Sequence, residues 1–225
     1  MNEEYISRQI AVYKNNKVLI EFQDKLKAAS IPSYAHIHAD GELGSDGKKR
    51  HSLIGIQMID YSNGTGNNSK IVNVNISPEE AKFILSRITA GFLNYSFQQE
   101  KIFGAKDEKG YAFVSKIRII RAAKDNKGND RKLPWYIEVE NGKGIPMANA
   151  NGGTYMKSGS YVQKNLVSVN LSDLELFQLL SRVSSYIDAW EKVVSASIIL
   201  QGRTELAKRQ TNNNNWSNQP TSNAA

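Results

Sequence analysis

The chain has 225 residues, 40% of them hydrophobic, and a net charge of +7, which suits a globular protein with a real core rather than a disordered or membrane-embedded one. The absence of cysteine excludes a disulfide framework, a thiolate nucleophile and a thiolate metal site. It also fits a reducing cytoplasm, the expected location. No apolar run reaches the roughly 18–20 residues that span a bilayer, and the acidic start MNEEYISRQIAVYKNN lacks the basic and apolar blocks of a signal peptide.

In chain order, residues 1–15 read as a lead-in with an edge strand at Gln9–Tyr13. Lys17–Phe22 reads as a strand with Val18, Ile20 and Phe22 on one face. Residues 24–29 fit a helical turn or a loop. Pro32–Ala39 (PSYAHIHA) alternates as a strand, placing Tyr34, His36 and His38 together opposite Ala35 and Ile37. Gly41–Arg50 is a turn or loop. His51–Tyr61 is a strong strand, and Lys70–Ile76 leads into a helix from Pro78 to about Leu93. In the second half the strands are Ala112–Arg121, Pro134–Glu140, a short one near Thr154–Lys157, and Lys164–Leu171. A long helix follows Ser172, with Gly202 as the expected break. The Asn-rich tail at 211–225, which contains Trp216, has too little apolar content to fold and is expected to be disordered.

One stretch occurs twice. IVNVNISPEEAKFILSRITAGFL at Ile71–Leu93 matches LVSVNLSDLELFQLLSRVSSYID at Leu166–Asp188 at an offset of 95, including Asn75/Asn170, Ser77/Ser172, Glu80/Glu175 and Arg87/Arg182. Each Ser-x-x-Glu is a capping box, in which hydroxyl and carboxylate satisfy free backbone N–H groups; Pro78 suits the first helical position. A second match pairs Pro32/Pro134, Tyr34/Tyr136 and Ile37/Val139. Strand runs closed by a helix, without βαβ alternation, predict an α+β class of two pseudo-repeated antiparallel four-stranded sheet plus helix units. The expected division is 1–97, 98–210 packed with the first as one domain, and the tail.

Val72, Val74 and Ile76, with Val167, Val169 and Leu171, then face helix residues such as Ala81, Ile84, Leu85 and Ile88. The opposite faces remain uncovered. Residues 101–164 hold 13 Lys/Arg against 6 Asp/Glu, so the whole positive excess lies in the second half, a footprint of polyanion binding. By alternation the uncovered faces carry Tyr34, His36 and His38 in the first unit, and Lys116, Arg118 and Tyr136 in the second. Lys48, Lys49 and Arg50 lie on the rim; Arg121, Arg131, Lys132, Lys157 and Lys164 lie nearby. Cations neutralise phosphates while rings stack on bases, a combination suited to single-stranded nucleic acid. Glu138 and Glu140 place carboxylates on the same face.

The duplicated four-strand-plus-helix pattern, across roughly residues 8–190, resembles the Whirly proteins and the small coactivator-type single-stranded DNA-binding fold. That resemblance implies two crossing antiparallel sheets, locking helices, a homo-oligomer, and single-stranded DNA (or RNA) held along the sheets. The lysine/glycine/alanine strand motif of plant Whirlies is absent, and no residue role is carried over.

The expected protein is therefore a non-enzymatic binder without cofactor, metal or membrane association, serving DNA replication, recombination or transfer in a phage or mobile element. A structural or assembly role in a phage or conjugation system is the first alternative. The second is a cupin-like metal enzyme built on His36, His38 and Glu42 in HIHADGE, although the upstream glycine and a second motif are missing. No GxxxxGK[ST] phosphate loop or GxSxG elbow occurs.

Overall fold

The computed structural model describes residues 6–150 and 152–217, with side chains as far as 211. Along it run β1 (Gln9–Lys14), β2 (Val18–Lys25), a 3-10 helix (Ile31–His36), β3 (Asp40–Leu43), β4 (Lys49–His51), β5 (Leu53–Asp60), β6 (Lys70–Ile76) and α1 (Pro78–Thr89). There follow β7 (Asn94–Phe103), β8 (Ala112–Ala122), β9 (Trp135–Gly144), β10 (Pro146–Ala148), β11 (Thr154–Met156), β12 (Val162–Leu171) and α2 (Asp173–Ser217). The chain is an α+β protein of antiparallel sheets with a C-terminal helix. It forms two compact units, residues 1–25 with 53–186, and residues 26–52 with 187–225. This division differs from the expected cut between 97 and 98.

The larger unit holds two four-stranded antiparallel sheets, ordered β1-β2-β5-β6 and β12-β9-β8-β7. Their inner faces supply the core. Ile20, Phe22, Ile54, Ile56, Met58, Val72, Val74 and Ile76 are buried in the first sheet, and Ile117, Ile119, Trp135, Ile137, Val139, Val167, Val169 and Leu171 in the second. These are the period-2 positions of the expected strands. Ala81 and Ile84 of α1 are buried, as are Leu176, Leu180 and Val183 of α2 at helical spacing. Both capping boxes form. The Ser77 hydroxyl accepts from the Glu80 N–H at 3.1 Å and the Glu80 carboxylate accepts from the Ser77 N–H at 2.7 Å; Ser172 and Glu175 do the same at 3.2 and 2.7 Å.

The last strand of the first sheet, β6, lies against β8, β9 and β12 of the second. An edge strand carries unpaired backbone groups that invite pairing with another chain. Here side chains of the second sheet take them. The Asn141 amide accepts from the Asn73 N–H at 2.7 Å and donates to the Asn73 carbonyl at 2.8 Å, as a neighbouring strand would. Asn165 donates to the Ile71 carbonyl at 3.4 Å and Lys101 to the Asn75 carbonyl at 3.3 Å.

Four expectations are corrected. Pro32–Ala39 is not a strand: Pro32 opens a 3-10 turn, and Ile37 sits at φ +62. The Pro32/Pro134 match therefore joins a 3-10 helix to strand β9. Gly41–Arg50 is not merely a loop, since β3 and β4 pair across it. Strand β7 is an addition to the expected strands, although Tyr95, Phe97, Gln99 and Lys101 alternate with more exposed neighbours between Gly91 and Gly104. Finally, α2 continues past Gly202 and through residues 211–217, the first part of the tail expected to be disordered. Residues 218–225 and the Trp216 side chain lie outside the described residues, as do residues 1–5 of the lead-in.

In the smaller unit, Gly202 is buried because Tyr34 occupies the space of its missing side chain; a Cβ there would lie 2.1 Å from the Tyr34 Cγ. Gly→Ala within a helix ordinarily gains up to about 1 kcal/mol. Gly202→Ala should instead cost about 1–3 kcal/mol through overpacking, read as a lower melting temperature, and Tyr34→Ala in the same background should restore part of the loss.

Candidate nucleic-acid interface

Strand register sorts the second sheet into rungs. On its outer face Gln98, Arg118, Glu138 and Ser168 form one rung, and Glu100, Lys116, Glu140 and Leu166 the next. These border a groove of about 380 Å³. Here the expected residues Lys116, Arg118 and Tyr136 do share the uncovered face, but each is engaged. Lys116 pairs with Glu100 at 2.9 Å and lies 3.7 Å from the Tyr161 ring centre. Arg118 is 3.8 Å from Glu138, which also accepts from the Tyr136 hydroxyl at 2.5 Å. Tyr161 donates to Glu140 at 3.0 Å. Burial, and then the bond to a glutamate, push both tyrosine hydroxyls above their ordinary pKa range. Two cations face three carboxylates, so this groove has no net attraction for phosphate.

The other expected residues scatter. Arg121 is a fixed strut: its guanidinium grips Asp173 at 3.0 and 2.9 Å and the Phe92 carbonyl at 2.6 Å. Asp173 also accepts from the indole N–H of fully buried Trp135 at 2.7 Å. Arg131 and Lys132 are exposed in the β8–β9 loop, with the Arg131 Nε donating to the Lys124 carbonyl. Tyr34, His36, His38, Lys48, Lys49 and Arg50 all belong to the smaller unit. They do not share a sheet face with Lys116, because the segment carrying the rings is a 3-10 helix and the basic triplet spans a separate hairpin.

The histidines make no metal site. His38 stacks on Trp190 with ring centres 4.8 Å apart, its Nδ1 is 2.7 Å from the Ser52 Oγ, and its Nε2 is 3.1 Å from Glu191. His36 is exposed, and Glu42 accepts the backbone N–H groups of Ser30 and Asp40. No cluster of three or more His, Cys, Asp or Glu able to hold a metal occurs among the described residues. The Ser52–His38–Glu191 chain has the order of an acyl-transfer triad. However, Ser52 is buried and its hydroxyl already accepts the Lys27 N–H at 3.0 Å; this is a packing latch.

The inner face of the second sheet runs on past the core at one end. There the rung Phe103, Phe113, Lys143 and Val162 follows the rung Lys101, Ser115, Asn141 and Asn165. Phe103 and Phe113 meet edge to face at 5.2 Å while remaining 46% and 39% exposed. Apolar rings this open at the end of a sheet have nothing to bury them within the described chain. Lys143 shares their rung and Lys101 the next, Lys106 and Lys109 lie in the turn joining β7 to β8, and the expected Lys157 and Lys164 lie in the segments that follow β9. Asp107 and Glu108 are the acidic residues of the adjoining turn. Asp107 is held below the usual carboxylate range, chiefly by its 2.5 Å bond to Lys143. From the first sheet, Lys25 reaches the Asn75 Oδ1 at 2.9 Å, beside the Lys101 contact to the Asn75 carbonyl. Burial, followed by the nearby Arg8 charge, lowers the Lys25 pKa. The two sheets thus bring cations and amides to the border of an open aromatic pair. Composition located the lysines; Phe103 is absent from the expected elements because β7 is, while Phe113, in the expected strand Ala112–Arg121, reads there only as part of the apolar face opposite Lys116 and Arg118.

The Arg121–Asp173–Trp135 strut has a pH signature. Arg121 holds the Asp173 carboxyl below its ordinary range. A carboxyl with a depressed folded-state pKa stabilises the fold above its unfolded value, about 3.9, and loses that contribution as pH falls through the folded one. Asp173→Asn should cost about 1–2 kcal/mol at pH 7, allowing for a half-exposed side chain. Urea midpoints should show that deficit shrinking as pH falls below about 4.

Among solved structures, the chain is similar to the plant transcriptional regulator PBF-2, with a TM-score of 0.41 and 11% identity over 86% of this chain and 96% of that one. WHY3 and WHY1 from Arabidopsis thaliana give 0.39 and 0.37 at 11% identity, over 86% of this chain and 89% and 91% of theirs. The resemblance to Whirly proteins is thus one of architecture alone. No protein-family model and no curated protein matches the chain. Among the described residues, no helix is long and apolar enough to cross a membrane.

Proposed function

We propose that the chain is a non-enzymatic binder of single-stranded nucleic acid, DNA foremost and RNA as the alternative. The observation that carries this reading is the exposed Phe103–Phe113 pair set among lysines at the end of the second sheet. Open rings stack on unpaired bases whatever their identity, at about 1–3 kcal/mol per base, while ammonium groups neutralise phosphates. A duplex keeps its bases inside and offers the rings nothing, so single strands are preferred. Of the residues first read as the site, Lys157 and Lys164 belong to this interface. Lys116, Arg118 and Arg121 do not, since carboxylates already hold them.

In the same reading the two four-stranded sheets, each closed by a capped helix, are pseudo-repeats, and the protein works in the cytoplasm as a homo-oligomer. Its setting is replication, recombination or transfer of a phage or mobile element's DNA. Fluorescence anisotropy with a labelled thymidine oligonucleotide, single- against double-stranded and from 50 to 500 mM salt, tests it. Preference for the single strand with affinity falling as salt rises is expected; binding indifferent to salt or to strandedness would refute it.

A second reading, an assembly component, is favoured by the open apolar side chains Val193 and Leu200 on α2, both more than two-thirds exposed. It requires that Val193→Asp with Leu200→Asp lower the solution mass while oligonucleotide binding, if any, is unaffected.

A further inference from the structure

A second exposed aromatic cluster, at the opposite end of the second sheet, has a different chemistry. Phe83 on α1 and Phe92 in the following turn enclose the Arg87 guanidinium, whose Cζ lies 4.3 and 5.1 Å from the two ring centres. Leu93 beside them is 64% exposed, and Leu133 in the β8–β9 loop is also open. The turn is firmly placed. Gly91 takes the left-handed φ of +70 that reverses the chain after α1, Arg121 holds the Phe92 carbonyl at 2.6 Å, and the Leu93 carbonyl accepts from the Ala123 N–H at 3.1 Å. Arg131 joins the same edge through its N–H to the Ala123 carbonyl at 2.8 Å.

Charge decides what such a surface accepts. Carboxylates nearby are already committed: Glu80 to its capping box and Gln99, Asp173 to Arg121 and Trp135, Asp130 to Lys124. Arg87 and Lys132 form no ion pair among the described residues, and Arg131 has only the nearby Asp125, whose carboxylate is already bound by Asn129 and which feels the Arg131 charge. The ring faces that would stack on bases are covered by the guanidinium, unlike those of Phe103 and Phe113. What remains is a planar, pre-oriented fork of N–H donors beside exposed leucine and phenylalanine. A guanidinium held in this way loses little entropy on forming two parallel bonds to a carboxylate.

We infer that the Phe83–Arg87–Phe92–Leu93 surface is a docking site for a partner protein's acidic peptide, one carrying an apolar side chain next to a carboxylate. Arg87 grips the carboxylate, the apolar residue lies on Leu93 and the Phe92 edge, and Arg131 and Lys132 attract the remaining negative charge. The site is separate from the proposed nucleic-acid interface, so both can be occupied at once.

The test uses the full chain and a fluorescein-labelled peptide of sequence Asp-Asp-Leu-Asp-Asp-Phe-Asp-Asp, with a counterpart in which lysine replaces aspartate. Saturable binding of the acidic peptide is expected, at least tenfold tighter than its counterpart. Arg87→Met and Leu93→Asp should each weaken it tenfold or more, Arg87→Lys less, and all three should leave oligonucleotide binding unchanged. Leu93, mostly exposed, keeps the test decisive should Arg87→Met fail to fold. Unchanged peptide affinity in the variants, equal binding of both peptides, no saturable binding, or displacement of the peptide by a thymidine oligonucleotide would each overturn the assignment. Loss of oligonucleotide binding by the wild-type chain would bear on the nucleic-acid reading alone.

Discussion

Asn141→Ala should destabilise the protein by about 2–4 kcal/mol, from two orphaned backbone groups at roughly 1–3 kcal/mol each, less what water recovers. The residue is buried, and its amide serves as donor and acceptor to the Asn73 backbone of β6 while also donating to the Glu140 carbonyl at 2.9 Å. Truncation leaves the N–H and carbonyl of Asn73 facing a hole between the sheets. It also reopens an edge strand that has good β-formers at Val72, Val74 and Ile76. Urea unfolding at pH 7 measures the energy, and light scattering should show self-association that the wild type lacks. Asn141→Asp keeps the acceptor but turns a buried carboxylate oxygen toward the Asn73 and Glu140 carbonyls, so its deficit should be at least as large as that of alanine. A loss under 0.5 kcal/mol would mean that β6 needs no partner from the second sheet.

Phe103→Ala combined with Phe113→Ala should weaken single-stranded oligonucleotide binding by about 2–4 kcal/mol, roughly thirty-fold to several hundred-fold, if each ring stacks on one base. Because both rings are about half open, the fold itself should lose little, and the melting temperature provides the check. Salt dependence separates the two kinds of contact. The ring variant should keep the wild-type slope of affinity against salt, whereas Lys106→Ala with Lys109→Ala should flatten it by about two counterions. Leu substitutions at 103 and 113 retain apolar area without a flat ring and should recover only a minor part of the affinity.

The scaffold was readable wherever local chemistry and tertiary role coincided. Lys70–Ile76, Ser77 and Pro78 announce a half-buried strand, a cap and a helix start, and each of those features is met within the same few residues. Reading failed where a local pattern had two solutions. PSYAHIHA alternates in polarity, yet Pro32 and the left-handed Ile37 bend it into a 3-10 turn that packs Tyr34 on Gly202 and His38 on Trp190. Gly202 looked like a helix stop because its tertiary neighbour is invisible to periodicity. β7 alternates, but through Gln99 and Lys101 rather than aliphatic residues, so its buried face did not register as apolar.

The site was legible as charge and illegible as geometry. The lysine excess in residues 101–164 is real, but only register shows which cations face carboxylates. Glu100 stands across from Lys116, and Glu138 across from Arg118, which turns a nominally basic face into a neutral ladder. Register likewise places Phe103 beside Phe113, ten residues apart in sequence, and Lys143 beside Phe113. The sequence supplied the repeat in β6–α1 and β12–α2. The Asn73–Asn141 lock between the sheets needed the fold, since those residues are 68 positions apart.

The most direct measurement is ultraviolet cross-linking of the full chain to a short thymidine oligonucleotide, followed by mass spectrometry of the digested protein. Adducts should concentrate on peptides containing Phe103 and Phe113, with weaker yield near Tyr155, and high salt or an unlabelled single strand should abolish them. Adducts confined to Tyr136 and Tyr161 in the charged groove, or to Tyr34 in the smaller unit, would contradict the account.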